Sequence, residues 1–195
     1  ELDAIRSLGD AGILFVVSAG NESTFNDLFP TYPTNYISAN LISVAASGGG
    51  GLRASFSNWG EATVNVTAPG EHILSTTPRN TYDFFTGTSM AAPHVSGSAA
   101  LVCAQFPNIT MQKLRAVMMY SGYQAPWQFA STFPISTGRA IDARKALDGV
   151  SSADVTPPGA IANLNANISD TFRNYAVSWT APGDDGSGGG KVTAY

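Results

Sequence analysis

Between Gly12 and Gly20 the chain reads GILFVVSAG, an apolar run with no polar residue before Ser18. A strand with one face in water alternates apolar and polar residues. An uninterrupted run bounded by glycines fits a strand covered on both faces, as in a parallel sheet sandwiched between helices. NLISVAAS, Asn40 to Ser47, is a second run of the same kind. Parallel neighbours cannot be joined by a tight hairpin; their crossovers are long and usually helical. The two runs therefore demand helices elsewhere in the chain, and the alternation that follows sets the class as α/β.

The helices are legible. Leu2, Ile5 and Leu8 recur at helical spacing, and Gly9 and Gly12 close that segment. Asn21 to Asn40 is polar, carries Pro30 and Pro33, and reads as a surface excursion. ASFSNWG and ATVNVTAPG read as short strands or extended segments. A helix is predicted from near Ser89 to about Phe106, with Pro93 at the edge of its first turn and Pro107-Asn108 as its stop. TMQKLRAVMMYSG is a second helix, with Thr110 as cap, Leu114, Val117 and Met118 on one face, and Gly122 at its end. TGRAIDARKALDG is an extended piece turning into a short helix. The composition then changes. Residues 1–149 are expected to form one domain and 150–158 a linker ending in Thr-Pro-Pro, which disfavours helix. Residues 159–195 alternate apolar and polar in IANLNANIS and YAVSWTA, the pattern of a half-exposed all-β segment too short to close a sandwich.

Composition excludes several roles. Apolar residues make up 44% of the 195, enough for a core, whereas charged residues are only 12%. A surface of Gly, Ser, Thr and Asn suits a secreted protein. The net charge is −4 and no basic run occurs, which argues against a nucleic-acid partner. No apolar stretch reaches the roughly 18 residues of a membrane span. Cys103 is the only cysteine, so no internal disulfide forms. Its apolar setting predicts a small buried hydrophobe.

Chemistry centres on GTSMAAPHVSG, where Ser89 stands at a predicted helix start. The first backbone N–H groups of a helix have no intrahelical partner, and the macrodipole favours negative charge there. A serine so placed suits a nucleophile whose own N–H helps hold an oxyanion. Gly87 lets a substrate approach closely. A plain N-cap is the ordinary role of a Thr-Ser pair such as Thr88-Ser89 before a helix, so Ser89 alone carries no enzyme assignment. The G-x-S-x-G elbow is absent, since Ala91 follows where glycine would stand.

GTSMAAPHVSG resembles the serine motif of the subtilisin-like serine proteases, the subtilases. VVSAGNES resembles the segment that carries that family's oxyanion-hole asparagine. The 68 residues from Asn21 to Ser89 suit the family. YPTNYISANLISVAAS, ASFSNWG, APGEHILST and GRAIDARKAL match in order, so the resemblance covers roughly residues 1–148. It implies a subtilisin-like parallel sheet flanked by helices, incomplete here, and a serine endopeptidase acting on polypeptides through an acyl-enzyme. Ser89 would be the nucleophile, and the Asn21 side-chain N–H with the Ser89 backbone N–H would hold the oxyanion. Ser18, Ala19 and Gly20, with Gly87 and Thr88, would contact the substrate. The chemistry needs no cofactor. A structural calcium ion is in keeping with the family, with no ligands assigned beyond weak-site carbonyls in the YPTNY loop. A monomer is expected.

The catalytic base is missing. His94 lies five residues after Ser89, about 500° of helical rotation or about 140° net, and its motif lacks the family's H-G-T-H. It reads as a packing or capping histidine. His72 reads as a surface residue. Asp10, Asp83 and Asp142 do not replace the acid. The family order is Asp, His, Ser, so both partners are expected upstream of these residues. An inactive relative of the same fold is the main alternative. The tail VTPPGAIANLNANISDTFRNYAVSWTA resembles the start of a fibronectin type III domain, with Leu164 and Trp179 as core residues. A surface-binding role for that tail is a third reading.

Overall fold

In the computed structural model, the strand β2 (Leu41–Ser47) lies inside the sheet with all seven residues buried. The structure describes residues 1–126, 132–152, 165–169 and 174–178. They divide into two units, Glu1–Ser151 and Ser152–Tyr195.

In the first unit β2 pairs in parallel with β1 (Phe15–Ser18) on one side and β3 (Val66–Pro69) on the other, in the register Phe15↔Leu41 and Val44↔Val66. β4 (Ile73–Thr77) and β5 (Thr81–Phe85) form a separate antiparallel hairpin. β6 (Tyr123–Gln124) and β7 (Arg139–Ala140) complete the main sheet in the order β1-β2-β3-β7-β6. β7 runs parallel to β3 and only β6 is antiparallel. Successive side chains of β2 point to opposite faces. Ile42, Val44 and Ala46 enter one core, and Ala45 enters a second with Val64, Ile135 and Ala140. That is the two-sided burial the uninterrupted run predicts.

β1 departs from expectation. Its four residues are only half-buried. It is the sheet's edge strand and pairs with β2 alone, so its other edge has no described neighbour. An apolar run records the need for cover on both faces, not which segment supplies it.

α1 (Leu2–Asp10) buries Ile5 as its spacing predicts. The polar excursion that follows β1 carries no strand, yet it is pinned inside. The Asn40 side chain is buried and donates to the carbonyls of Ile5 and Ile13, tying α1 to the entry of β1. α2 (Thr88–Gln105) lies across the first three strands and buries Ala91, Val95, Ala99 and Val102 against them. Its start is one residue earlier than Ser89, so Pro93 is the sixth helical residue rather than part of the first turn. Having no N–H, Pro93 offers none to the Ser89 carbonyl. Cys103 is exposed, against expectation. α2 is apolar or small all round, so sequence gives no sign of which face is covered. Cys103 follows the buried Val102 by about 100° of rotation and turns outward beside the exposed Leu101.

α3 (Met111–Tyr120) begins at Thr110, whose hydroxyl accepts from the Lys113 N–H at 3.3 Å. Leu114, Val117 and Met118 are buried as predicted, with Met111 and Met119 beside them. α4 (Ala143–Ser152) runs three residues past the expected boundary at Gly149. Val150 is buried in the main core, and that apolar anchor carries the helix into what reads as linker.

The second unit contains the antiparallel hairpin β8 (Asn165–Ser169) and β9 (Asn174–Ser178), in the register Asn165↔Ser178. The remainder of the linker, Leu164 and Trp179 lie outside the described residues. Among the described residues no helix is long and apolar enough to cross a membrane.

Candidate active site

Two chain segments far apart in sequence meet at the C-terminal end of β1. The strand delivers Ser18, Ala19, Gly20 and Asn21, and the N-terminus of α2 delivers Gly87, Thr88 and Ser89. The Thr88 N–H donates to Asn21 Oδ1 at 2.8 Å, and the Thr88 hydroxyl donates to the same oxygen at 3.0 Å. The Gly20 N–H donates to the Thr88 hydroxyl at 3.2 Å. Gly87 stands at the N-cap position and has no side chain to cap α2. Asn21 supplies that cap from across the site, answering one of the orphan amides every helix start carries.

This pairing orients the Asn21 carboxamide. A backbone N–H can only donate, so the atom facing Thr88 must be the oxygen. Both contacts fall on Oδ1, and among the described residues no acceptor takes the Nδ2 hydrogens. Ser89 is exposed, and neither its N–H nor its hydroxyl has a described hydrogen-bond partner. One end of α2 thus carries an exposed hydroxyl, an unpaired backbone N–H and an unpaired carboxamide N–H. Gly87 has φ 155°, a backbone conformation side chains rarely adopt. A Cβ there would lie 3.7 Å from the Asn21 carboxamide.

An open cleft of about 290 Å³ runs from Ser89 along α2. Met90, Pro93 and His94 line one side; Ile73, Leu74, Ser75 and Phe85 of the β4–β5 hairpin line the other. His94 therefore borders the same cleft as Ser89, where rotation about the helix axis alone puts it on another face. The cleft is long enough to follow the helix past one turn. The His94 Nδ1 is paired with the Met90 carbonyl at 2.8 Å, a bond within its own helix. Among the described residues, no carboxylate lines the cleft. The Asp83 carboxylate accepts from the Phe84 N–H, and Asp142 accepts from the Lys145 N–H at the start of α4. His72 is exposed at a positive φ of 52°.

The candidate substrate-contacting residues divide by exposure. Ala19 is buried, while Ser18 and Gly20 are half-buried. Gly87 and Thr88 are buried beneath Ser89. Sequence reading passed over Asn58, which packs directly beneath the Asn21 loop. The YPTNY loop borders a small cavity. That cavity is lined by Thr34, Asn35, Thr63, Asn65 and the half-buried Arg115, with no carboxylate among its lining. Burial lowers the pKa of that guanidinium from its usual value, though it stays a cation.

The subtilase family model matches residues 2–126. The chain belongs to the subtilase family. It is 45% identical over 96 residues to subtilisin-like protease 2 of Plasmodium falciparum, covering 49% of this chain and 7% of that protein. It is 42% identical over 106 residues to subtilisin DY of Bacillus licheniformis, covering 54% of this chain and 38% of that one. The chain thus spans well under half the length of these curated subtilases. Among solved structures, a protease from Pseudoalteromonas arctica superposes with a TM-score of 0.66 at 28% identity, covering 76% of this chain and 46% of that one. The prenylagaramide maturation protease PagA has the same fold, with a TM-score of 0.64 at 23% identity over 75% of this chain and 54% of its own.

Proposed function

We propose that this chain supplies the nucleophile and the oxyanion donors of a serine endopeptidase. The observation that carries the reading is the double hydrogen bond from Thr88 to Asn21 Oδ1, which turns the asparagine's N–H groups outward beside Ser89. The Ser89 hydroxyl attacks the scissile carbonyl carbon and gives its proton to a base. The carbonyl oxygen becomes an oxyanion, held by the Asn21 Nδ2 and the Ser89 N–H. Collapse expels the amine, which leaves with that proton, and an acyl-Ser89 ester remains. Water then cleaves the ester by the same steps, restoring the hydroxyl.

The base and its orienting carboxylate are supplied from outside the described residues. His94 has its Nδ1 held by Met90, and among the described residues no carboxylate borders the cleft to orient it. Ser18, Ala19 and Gly20 contact the substrate residue before the cleaved bond, and Gly87 and Thr88 support its carbonyl. In this reading the enzyme is secreted and monomeric, its chemistry needs no cofactor, and the tail begins a fibronectin type III-like domain that can serve in binding.

The test uses the complete peptidase that carries this chain and a peptide substrate. Ser89→Ala removes turnover and abolishes labelling by a serine-directed probe. Asn21→Ala lowers kcat by about 10²–10³-fold with little change in KM, a size established on subtilisin's own oxyanion asparagine. Full turnover in Ser89→Ala would overturn the proposal.

A further inference from the structure

Asn58 is fully buried, 36 residues along the chain from the loop it holds. Its Oδ1 accepts from the N–H groups of Glu22 at 2.9 Å and Thr24 at 3.1 Å. Its Nδ2 donates to Glu22 Oε2 at 3.0 Å and to Asn26 Oδ1 at 3.0 Å. Its backbone N–H donates to the Gly20 carbonyl at 3.0 Å. All of these bonds reach the segment from Gly20 to Asn26, and they grip it on both sides of Asn21. The Glu22 carboxylate oxygen that Asn58 orients also accepts the backbone N–H of Asn21, at 2.9 Å. Asn58 Nδ2, Glu22 Oε2 and the Asn21 N–H therefore form one relay. Thr88 fixes the carboxamide of Asn21; Asn58 fixes its backbone.

Asn58 is itself firmly seated. Trp59 and Phe56 exchange backbone hydrogen bonds with Thr24, Asn26 and Ser23, so the two segments run as paired ribbons. The Arg53 guanidinium lies 4.9 Å from the Trp59 ring centroid and 3.9 Å from that of Phe133, and it donates to the Ser57 carbonyl. Gly20 completes the fit: a Cβ there would overlap Asn58 Nδ2, and φ is 112°. The position asks for two acceptor sites and two donors on a short stem, which only asparagine provides. Aspartate would set a second carboxylate against Glu22 and leave Asn26 Oδ1 without a donor.

We propose that Asn58 is a positioning residue for the oxyanion donor, acting on Asn21 through Glu22 and never touching substrate. This rests on the reading of Asn21 given above. The experiment is a double-mutant cycle in the complete peptidase, with thermal unfolding to confirm that each variant is folded. Asn58→Ala should lower kcat on the order of tenfold with KM unchanged, less than the about 10²–10³-fold of losing the donor itself. In an Asn21→Ala background the same substitution should cost nothing further, because its only route of action is gone. Asn58→Asp should lower kcat at neutral pH and regain it relative to the parent as pH falls, since a protonated carboxyl can donate again. An equal loss in both backgrounds, or an unchanged kcat in Asn58→Ala, overturns the proposal. If Asn21→Ala alone leaves kcat intact, the oxyanion reading falls, and this proposal with it. Should Asn58→Ala not fold, Asn58→Ser and Asn58→Asp take its place in the cycle under the same criteria.

Discussion

Thr88 ties the two halves of the candidate site together. Its hydroxyl accepts from Gly20 and donates to Asn21, while its backbone N–H makes a second, independent bond to the same Asn21 oxygen. Thr88→Val keeps the shape and the backbone bond and removes only the hydroxyl. A net hydrogen bond contributes about 0.5–1.5 kcal/mol, so kcat should fall by about 2- to 12-fold with KM nearly constant. Steady-state kinetics on the complete peptidase reads this directly; a loss as large as that of Asn21→Ala would mean the hydroxyl, not the backbone, holds the carboxamide. Ser89 and Asn21 were legible as candidates because each sits in a stretch that resembles a subtilase motif. Asn58 was not. Within ASFSNWG it looks like any turn asparagine, and its burial arises from a loop that packs on it from 36 residues away. Cys103 failed for the opposite reason: an apolar neighbourhood in sequence said nothing about which side of α2 the sheet covers.

The elements were legible in proportion to how much of their surroundings the chain itself supplies. β2 has neighbours on both edges and helices on one face, and its apolar run was read correctly. β1 has the same kind of run but one described neighbour, and it is half-buried. The difference is measurable as stability. Ile42 is fully buried in the main core, and Ile42→Ala should destabilise the chain by about 2–5 kcal/mol through lost burial and the cavity left behind. Val17→Ala in β1 removes less buried surface and should cost clearly less. Denaturant unfolding midpoints for the two variants give the comparison. Equal losses would show β1 as deeply packed as β2. α4 carries the same lesson at its end. Residues 150–158 read as linker, but the buried Val150 carries the helix on to Ser152.

At the scale of the whole molecule, the family match ends at residue 126, yet the fold does not. β7 pairs with β3, and Ala146 and Val150 of α4 enter the main core, so the first unit closes only near Ser151. Among the described residues, this unit leaves β1 with a single strand neighbour and its cleft without a carboxylate. It presents the exposed Ser89 hydroxyl at one helix end, with the Ser89 N–H and the Asn21 carboxamide N–H unpaired among the described residues. Of its two histidines, one is exposed beyond the cleft at a turn, and the other is bonded within its own helix. A serine hydroxyl needs an adjacent base to become a useful nucleophile. The 195-residue chain alone should therefore show no Ser89-dependent hydrolysis of casein and no rapid labelling by a serine-directed probe, even when circular dichroism shows it folded. Two variants make the outcome sharp. If the isolated chain does turn over substrate and Ser89→Ala removes that activity, the base lies within these residues. His94→Ala then decides whether it is the histidine that borders the cleft, because loss of activity in that variant would assign the base to a side chain whose Nδ1 is already oriented by Met90 and whose Nε2 is left to accept a proton.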